Sequence, residues 1–222
     1  MRRKPLRPSA LTATVGALSL AALLLAPATA HAAAPVPLAE AVASLPVSEE
    51  NREGYDRSLF PHWTDEDRDG CNTRMEVLIA EATVAPETDE RCRLTGGEWQ
   101  SYYDDRVHTE ARGLDIDHMV PLAEAWDSGA SEWTTARRRD YANDLGEEVA
   151  LVAVTARENR AKADKDPAQW VPPSEAALCR YVTEWTAVKT RWSLDVDQAE
   201  ADALTAAAAE CPDAVVDTEP AA

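Results

Sequence analysis

The sequence predicts an α+β fold organised around two short strands and the helix that follows the second strand. The first strand is predicted at residues 114–118, where apolar residues alternate with acids before a break at Pro121. The second is the apolar run at residues 149–154, which leads directly into a helical segment at residues 155–162. That helix is expected to begin with a capping box formed by Thr155 and Glu158.

Three side chains of this unit carry the predicted chemistry. Asp117 and His118 stand together at the end of the first strand, and Asn159 lies in the first turn of the helix. Carboxylate and amide oxygens suit Mg²⁺ or Mn²⁺ and are poor ligands for Zn²⁺. A neutral histidine can take a proton from water. The arrangement is that of a one-metal nuclease site; the alternative is a structural Asp–His pair beside a surface asparagine.

Longer stretches of the sequence resemble a known family. The words IDHMVPLAEAW, RRRDYANDL and ENRAKADKDPAQWVPP closely resemble the secreted bacterial HNH endonucleases, which share a nuclease domain with Gmr-type modification-dependent restriction enzymes. The looser text YDRSLFPHWTDEDRDGCNTRMEVL also fits, so the resemblance covers most of the chain after about residue 50. It implies a ββα-metal (HNH-like) core, with Asp117 and Asn159 as metal ligands and His118 as general base.

The sequence departs from the short HNH pattern. Asn159 replaces the third-motif histidine, and the middle asparagine has no certain equivalent, Asn143 being the nearest candidate. Asp115 lies two residues before Asp117 and shares its strand face, so it is expected to support that residue or to bind the cation. Arg160 or Lys162, on the same helix as Asn159, is expected to contact the phosphate.

The first 32 residues have the pattern of a secretory signal peptide. Four basic residues precede an apolar run from about residue 11 to residue 26, which ends at the small-x-small sequence Ala30-His31-Ala32. The run is short for a membrane span, the alternative interpretation. We therefore expect a secreted protein without stable membrane association after cleavage.

Without the signal peptide, 18 basic residues face 40 acidic residues, a formal charge of −22. This balance excludes tight, purely electrostatic binding to nucleic acid, which depends on lysine and arginine neutralising phosphates. A nuclease of this composition needs a bound cation and a local basic face. The candidates for that face are Arg137, Arg138, Arg139, Arg157, Arg160, Lys162 and Lys165.

Four cysteines, all beyond the signal peptide, indicate an oxidising compartment. Of the three possible pairings, we favour Cys71–Cys92 with Cys179–Cys211; free buried thiols are the alternative. The second pair would join a C-terminal helical hairpin. Its first helix carries an apolar stripe of Tyr181, Trp185, Val188 and Trp192 at helical spacing, and its second helix is Ala-rich and spans residues 197–210.

An acidic segment matches the calcium-loop pattern D-x-D-x-D-G-x5-E. Its potential ligands are Asp65, Asp67, Asp69 and Glu76. Asn72 stands where such a loop usually has an apolar residue. The alternatives are an acidic surface turn and a supporting role for Arg74 and Glu76 in the nuclease site.

These observations divide the chain into four parts: a signal peptide (1–32), a leader or linker (33–50), one HNH-type nuclease domain with helical insertions between its two strands (51–211), and a disordered acidic tail (212–222). The expected function is that of a secreted, monomeric, metal-dependent endonuclease that cleaves nucleic acid, with DNA favoured and little sequence specificity. The alternative is a secreted calcium-binding interaction module on an inactive nuclease scaffold. No serine-hydrolase motif G-x-S-x-G is present in the chain.

Overall fold

The computed structural model describes residues 34–222, so the predicted signal peptide lies outside the described residues. The strands are β1 (Val36–Pro37), β2 (Glu87–Thr88), β3 (Leu94–Thr95), β4 (Trp99–Ser101), β5 (Arg106–His108), β6 (Leu114–His118), β7 (Leu151–Thr155) and β8 (Val215–Val216). The helices are α1 (Leu38–Ser44), α2 (Thr73–Ala80), α3 (Leu122–Asp127), α4 (Thr135–Ala142), α5 (Ala156–Lys162), α6 (Leu178–Trp192) and α7 (Gln198–Glu210). Within residues 34–222, none of the helices combines the length and apolarity needed to cross a membrane.

The longest strands form the predicted central pair. β6 and β7 run antiparallel from Leu114 opposite Thr155 to His118 opposite Leu151, and α5 begins at the residue after β7. The remaining strands form three short antiparallel pairs, β1 with β8, β2 with β3 and β4 with β5. The mixed α+β class and the predicted order of strand, strand and helix are confirmed, with α3 and α4 inserted between the two strands.

The β6–β7 pair lies between two apolar clusters. The smaller cluster consists of Val77, Leu78, Trp99, Leu114, Ile116, Leu151 and Ala153. On the opposite face, Val152 and Val154 join the main core, which also holds most of α6. Successive strand residues point to opposite faces, so covering both faces buries every residue of β7.

The C-terminal hairpin follows the sequence prediction. Tyr181, Trp185, Val188 and Trp192 of α6 are all buried in the main core. The second helix starts where Asp197 accepts a hydrogen bond from the backbone N–H of Glu200 at 2.7 Å, which is an N-cap.

Both predicted disulfides are confirmed. Cys71 pairs with Cys92 across a Cα–Cα distance of 5.1 Å, and Cys179 pairs with Cys211 across 5.5 Å. The second bond ties the start of α6 to the end of α7. In the chain-entropy model, each such loop closure contributes about 3 kcal/mol to stability.

The two ends of the described chain differ from the prediction. Residues 34–50 do not form a linker, because Leu38, Val42 and Leu45 are buried in the main core and β1 pairs with β8. Pro35 and Pro37 precede α1, where proline is well tolerated, and Pro46 comes after its end. The apolar residues of α1 repeat at helical spacing.

The predicted disordered tail is also ordered. Val216 is buried against the main core, and the backbone N–H of Ala221 donates to the carbonyl of Arg191 at 2.9 Å. Thr218 donates to Glu147 at 2.7 Å. One strand pair therefore joins the two termini of the domain, and no local sequence pattern indicates such a contact.

A cluster of carboxylates lies where the N-terminal segment meets α3. Oxygens of Glu50, Glu124 and Asp127 lie within 4.8 Å of one another, and Glu50 has the same relation to Asp166 and Asp197. Burial raises the pKa of Glu50 to about 8, with further contributions from Glu124, Asp197 and Asp127. Glu50 thus retains a proton at a pH where the unfolded chain has lost it.

Because Glu50 retains this proton only in the folded protein, we predict that the free energy of unfolding depends on pH. An unperturbed glutamate has a pKa of 4.5, so unfolding releases the Glu50 proton at any pH between 4.5 and about 8. The contribution of the Glu50 carboxyl to the free energy of unfolding is fully present below pH 4.5 and is lost as the pH rises through 8. We expect Glu50→Gln to raise the melting temperature at pH 8.5 and to leave it unchanged near pH 4.5. Glu49→Gln, at a neighbouring glutamate outside the carboxylate cluster, is the control, and an equal rise in both variants would contradict the prediction.

Candidate active site

The C-terminal end of β6 opens into a cavity of about 330 Å³. Asp117 and His118 from β6 and Asn159 and Arg160 from α5 line this cavity, so it brings together four of the predicted residues. Its wall is completed by Arg57, Ile116, Pro121, Leu122, Ala163 and Asp164. A larger groove of about 530 Å³, lined by residues of α2, β7 and α6, contains none of the predicted site residues.

His118 is held in one orientation. Its Nε2–H donates to the carbonyl of Ala142 at 3.0 Å, which leaves Nδ1 as the nitrogen with a free lone pair. The ring lies between Trp63, at a centroid distance of 5.3 Å, and Tyr141, at 6.5 Å. Burial lowers the pKa of His118 to about 3, partly opposed by the Ala142 hydrogen bond. The imidazole is therefore neutral at physiological pH.

Asp117 is held through one of its two oxygens. Oδ2 accepts hydrogen bonds from the Tyr103 hydroxyl at 2.6 Å and from Lys162 Nζ at 2.5 Å. Burial raises the pKa of the Asp117 carboxyl, and Lys162 and Tyr103 oppose this rise. Since both hydrogen bonds go to Oδ2 and the residue lines the cavity, Oδ1 is the oxygen available to a ligand.

Lys162 does not reach the cavity, in contrast to the prediction that it contacts a phosphate. Its side chain is fully buried, and Nζ also donates to the carbonyls of His118 at 3.1 Å and Met119 at 2.7 Å. All three ammonium protons have acceptors within the protein. The amine therefore fixes the end of β6 to α5 and has no free hydrogen bond to offer a substrate.

The other two predicted residues on α5 face the cavity. Asn159 is half-buried, and its side-chain amide forms no hydrogen bond within residues 34–222. Arg160 is exposed and pairs with Asp115, at 3.2 Å between Nε and Oδ2. Asp115 is thus engaged by an arginine, and it does not line the cavity.

The donor set fits a hard divalent cation. Asp117 and Asn159 both line the cavity, and neither Asp117 Oδ1 nor the side-chain oxygen of Asn159 accepts a hydrogen bond from another group within residues 34–222. Mg²⁺ usually binds through one or two protein oxygens and keeps several waters. Such a cation does not require His118 as a ligand, and the Nε2–H of His118 already donates to the Ala142 carbonyl.

Asn143 lies outside the cavity and has a bracing role. Its amide donates to the carbonyls of Pro61 and Arg139, and its oxygen accepts from the Thr64 N–H and from the Thr73 hydroxyl. These bonds hold the loop at residues 61–64, in which Trp63 adopts a positive φ of 58° beside His118. Asn143 acts on His118 only through this loop and through the adjacent Ala142 carbonyl.

The predicted capping box is absent. Thr155 stands at the N-cap of α5, but its hydroxyl donates to Asp104 at 2.7 Å and makes no cap hydrogen bond. Glu158 pairs with Arg157. The helix is positioned by its continuity with β7 and by the buried Lys162, and local capping chemistry has no part in it.

The residues of the predicted calcium loop come together on the surface. Oxygens of Asp65, Asp67 and Asp69 lie within 4.8 Å of one another, and Gly70 has the positive φ, 98°, that a sharp turn in such a loop requires. Glu76 follows on α2. Burial raises the pKa of Glu76, and the three aspartates add to this shift.

Arg57 and His62 are neighbours of the site that motif reasoning did not single out. Arg57 lines the cavity, and the His62 ring lies 6.5 Å from the His118 ring. Both fall in the word YDRSLFPHW, part of the looser resemblance. His62 reaches the site through the loop at residues 61–64 and Arg57 through the 3₁₀ turn Arg57–Leu59, so no spacing within the sequence could place them there.

The triple arginine of α4 does not form the predicted basic face. Arg138 is buried and donates to the carbonyls of Leu59, Ala130, Ser131 and Trp133. Arg137 stacks on Trp133 and Trp192, and Arg139 pairs with Asp140. None of the three lines the cavity, so its positive charge comes from Arg57 and Arg160.

Comparison with known proteins decides the family. The model of a family described as GmrSD restriction endonucleases, C-terminal domain, matches residues 65–207, which include every cavity residue except Arg57. The chain belongs to this family. Membership in the GmrSD C-terminal domain family supports a nuclease-like function and nucleic acid as the partner.

A fungal relative is also similar to the chain. An uncharacterized secreted protein of Arthroderma benhamiae is 43% identical over 160 residues, which cover 72% of this chain and 77% of the relative. No solved structure matches this member of the GmrSD C-terminal domain family. The relative is fungal, so the bacterial grouping stays a prediction.

The protein is extracellular. Its relative is named as secreted, and the two disulfides, Cys71–Cys92 and Cys179–Cys211, are of the kind that persists in oxidising compartments. This agrees with the secretion expected from the sequence.

The bracing role of Asn143 predicts a loss of stability. Asn143→Ala removes four hydrogen bonds and should lower the free energy of unfolding by about 3 kcal/mol, because each buried polar group left without a partner costs about 1–3 kcal/mol. Asn159→Ala is the matched control and should change it by less than about 0.5 kcal/mol, since that amide forms no hydrogen bond with the described part of the chain. Urea unfolding measures both, and equal losses would contradict the bracing role.

Proposed function

We propose that this member of the GmrSD C-terminal domain family is a secreted, metal-dependent endonuclease that hydrolyses phosphodiester bonds, with DNA as the favoured substrate and little sequence specificity. The observation that supports it is the cavity at the end of β6, where Asp117, His118 and Asn159 meet beside two arginines. Each residue alone could be structural. Their convergence on one surface favours a chemical role for the set.

Hydrolysis of a phosphodiester requires an activated water and stabilisation of the charge that develops on the phosphate and on the leaving oxygen. His118 is neutral at physiological pH, and its Nδ1 is the atom that accepts the proton from water. The Ala142 carbonyl keeps the other nitrogen protonated, so the ring presents the same tautomer in every turnover.

Asp117 and Asn159 are the proposed ligands of one divalent cation, Mg²⁺ or Mn²⁺. When bound there, such a cation would supply positive charge to the phosphate and to the departing 3′ oxygen. Asp117 contributes Oδ1 while Lys162 and Tyr103 hold Oδ2, so the carboxylate cannot rotate away from the cavity. The Asn159 amide adds a neutral oxygen without further anionic repulsion of the substrate.

Plasmid cleavage tests this function directly. The mature, disulfide-bonded protein should nick supercoiled DNA with Mg²⁺ or Mn²⁺ and should lose this activity in EDTA. His118→Ala should lower the cleavage rate about 10²–10⁴-fold, the usual contribution of a general base. Because the His118 ring packs between Trp63 and Tyr141, the melting temperature of the variant must be measured as well.

A second variant separates chemistry from folding. Asn159→Ala removes a proposed metal ligand. Because the Asn159 side chain makes no hydrogen bond within residues 34–222, the variant should remain folded while its cleavage rate falls. Full activity in folded His118→Ala would refute the assignment of the base. Absence of cleavage by the folded wild type with any divalent metal would refute the endonuclease.

The second candidate function is a calcium-binding interaction module, favoured by the convergence of Asp65, Asp67 and Asp69. We expect Ca²⁺ to raise the melting temperature, since saturation at 100 times the dissociation constant adds about 2.7 kcal/mol of stability. Asp67→Ala should abolish this shift. Asp202→Ala, at an exposed aspartate on α7, is the control. An unchanged melting temperature with Ca²⁺ would remove the support for this function.

A further inference from the structure

The charged groups at the cavity are unequally compensated. Arg160 pairs with Asp115, and Asp164 on the cavity wall pairs with Arg52 at 3.3 Å. Arg57 also lines the cavity and is exposed, but it forms no ion pair within residues 34–222. Its side chain contacts the Tyr55 hydroxyl, a neutral group. Arg57 is therefore the uncompensated cation at the cavity in a strongly acidic protein.

The backbone that carries Arg57 is fixed. Arg57 opens a short 3₁₀ turn, Arg57–Leu59, whose N-cap Asp56 accepts a hydrogen bond from the Ser58 N–H at 2.8 Å. The Leu59 carbonyl accepts from the buried Arg138 at 3.1 Å. Phe60 is fully buried and packs edge-on against two core aromatic rings. A side chain presented from such a backbone loses less conformational entropy when it binds an anion than one on a mobile loop.

The guanidinium shares the cavity with the proposed base. Arg57 and His118 both line this volume of about 330 Å³, in which a phosphate would face both. Lys162 is buried, and the Arg160 charge is shared with Asp115, so neither offers an equivalent free cation.

We propose that Arg57 is the principal phosphate-binding residue of the cavity, its guanidinium contacting the phosphodiester next to His118. This rests on the proposed endonuclease function and adds the residue that holds the substrate. Arginine suits the role because its planar fork donates two parallel hydrogen bonds to phosphate oxygens. Sequence motifs favoured Arg160 and Lys162 instead, because these follow Asn159 on the same helix.

Binding without cleavage tests the proposal. A fluorescein-labelled DNA duplex is titrated with the mature wild-type protein in EDTA, and the dissociation constant is measured by anisotropy at several KCl concentrations. Arg57→Gln should weaken binding about tenfold at low salt, as expected for loss of a charge-assisted hydrogen bond. It should also reduce the slope of log K against log salt by about 0.9, the value for one phosphate contact.

Two arginine variants serve as controls for the loss of one positive charge. Arg93→Gln removes an arginine that pairs with Asp89 in the loop closed by Cys71 and Cys92, away from the cavity wall, and should leave both the affinity and the slope unchanged. Arg160→Gln should have a smaller effect than Arg57→Gln. Arg57→Lys keeps the charge, so it should restore the salt slope and only part of the affinity.

The outcomes separate this proposal from the function on which it rests. An unchanged slope in folded Arg57→Gln, with a wild type that binds the duplex, would overturn the role of Arg57 alone. A loss in Arg160→Gln equal to or larger than that in Arg57→Gln would also overturn it. Failure to bind duplex or single-stranded DNA at low salt, both in EDTA and with Mg²⁺ in a His118→Ala background that does not cleave, would overturn the proposed function together with the role of Arg57.

Discussion

The buried contact between Lys162 and Asp117 holds the strand–strand–helix unit together. An ammonium group removed from water is tolerated only when its charge and its protons are satisfied. Lys162 meets this condition with three acceptors: the Asp117 carboxylate and the carbonyls of His118 and Met119. The rings of Tyr103, Tyr181 and Trp185 surround Nζ at 5.5–6.0 Å and add cation–π attraction. One side chain thus joins α5, the end of β6 and the aromatic core of α6.

This contact explains how Asp117 can be structural and remain available to the cavity. A structural interpretation of the residue is correct for Oδ2, which is bonded to Lys162 and Tyr103. The chemical interpretation depends on Oδ1 alone. Because Lys162 also holds the carbonyl of His118, the contact that orients the carboxylate also fixes the backbone of the proposed base. The two residues of the Asp–His pair are therefore positioned by one interaction.

The parts of the site that sequence could predict are those within continuous elements. Asp117, His118 and Asn159 line one cavity, because a strand end and the first turn of a helix fix their direction locally. Lys162 was assigned to the surface, because its inward orientation depends on which face of α5 packs against α6. Arg57 was missed because it reaches the cavity from the 3₁₀ turn Arg57–Leu59, which the distant Arg138 holds through the Leu59 carbonyl.

The same distinction applies to the fold. The α6 stripe and both disulfides followed from spacing, whereas the packing of residues 34–50 and 212–222 did not. Those two segments are ordered by the pairing of Val36 with Val216, a contact between opposite ends of the domain. Composition rich in alanine, proline and acidic residues suggested flexible ends. Burial of the valine and leucine side chains in these segments stabilises an ordered structure despite that composition.

The charge pattern of the cavity has a consequence for the order in which its ligands bind. Each carboxylate on its wall already has a cationic partner: Asp117 has Lys162, and Asp164 has Arg52. A divalent cation alone thus meets little uncompensated negative charge, and the free guanidinium of Arg57 repels it. A phosphate reverses this balance, since it satisfies Arg57 and supplies further oxygen ligands of the kind Mg²⁺ takes from its substrates. Physical chemistry therefore favours binding of the cation and the substrate together in a cavity that holds either one weakly.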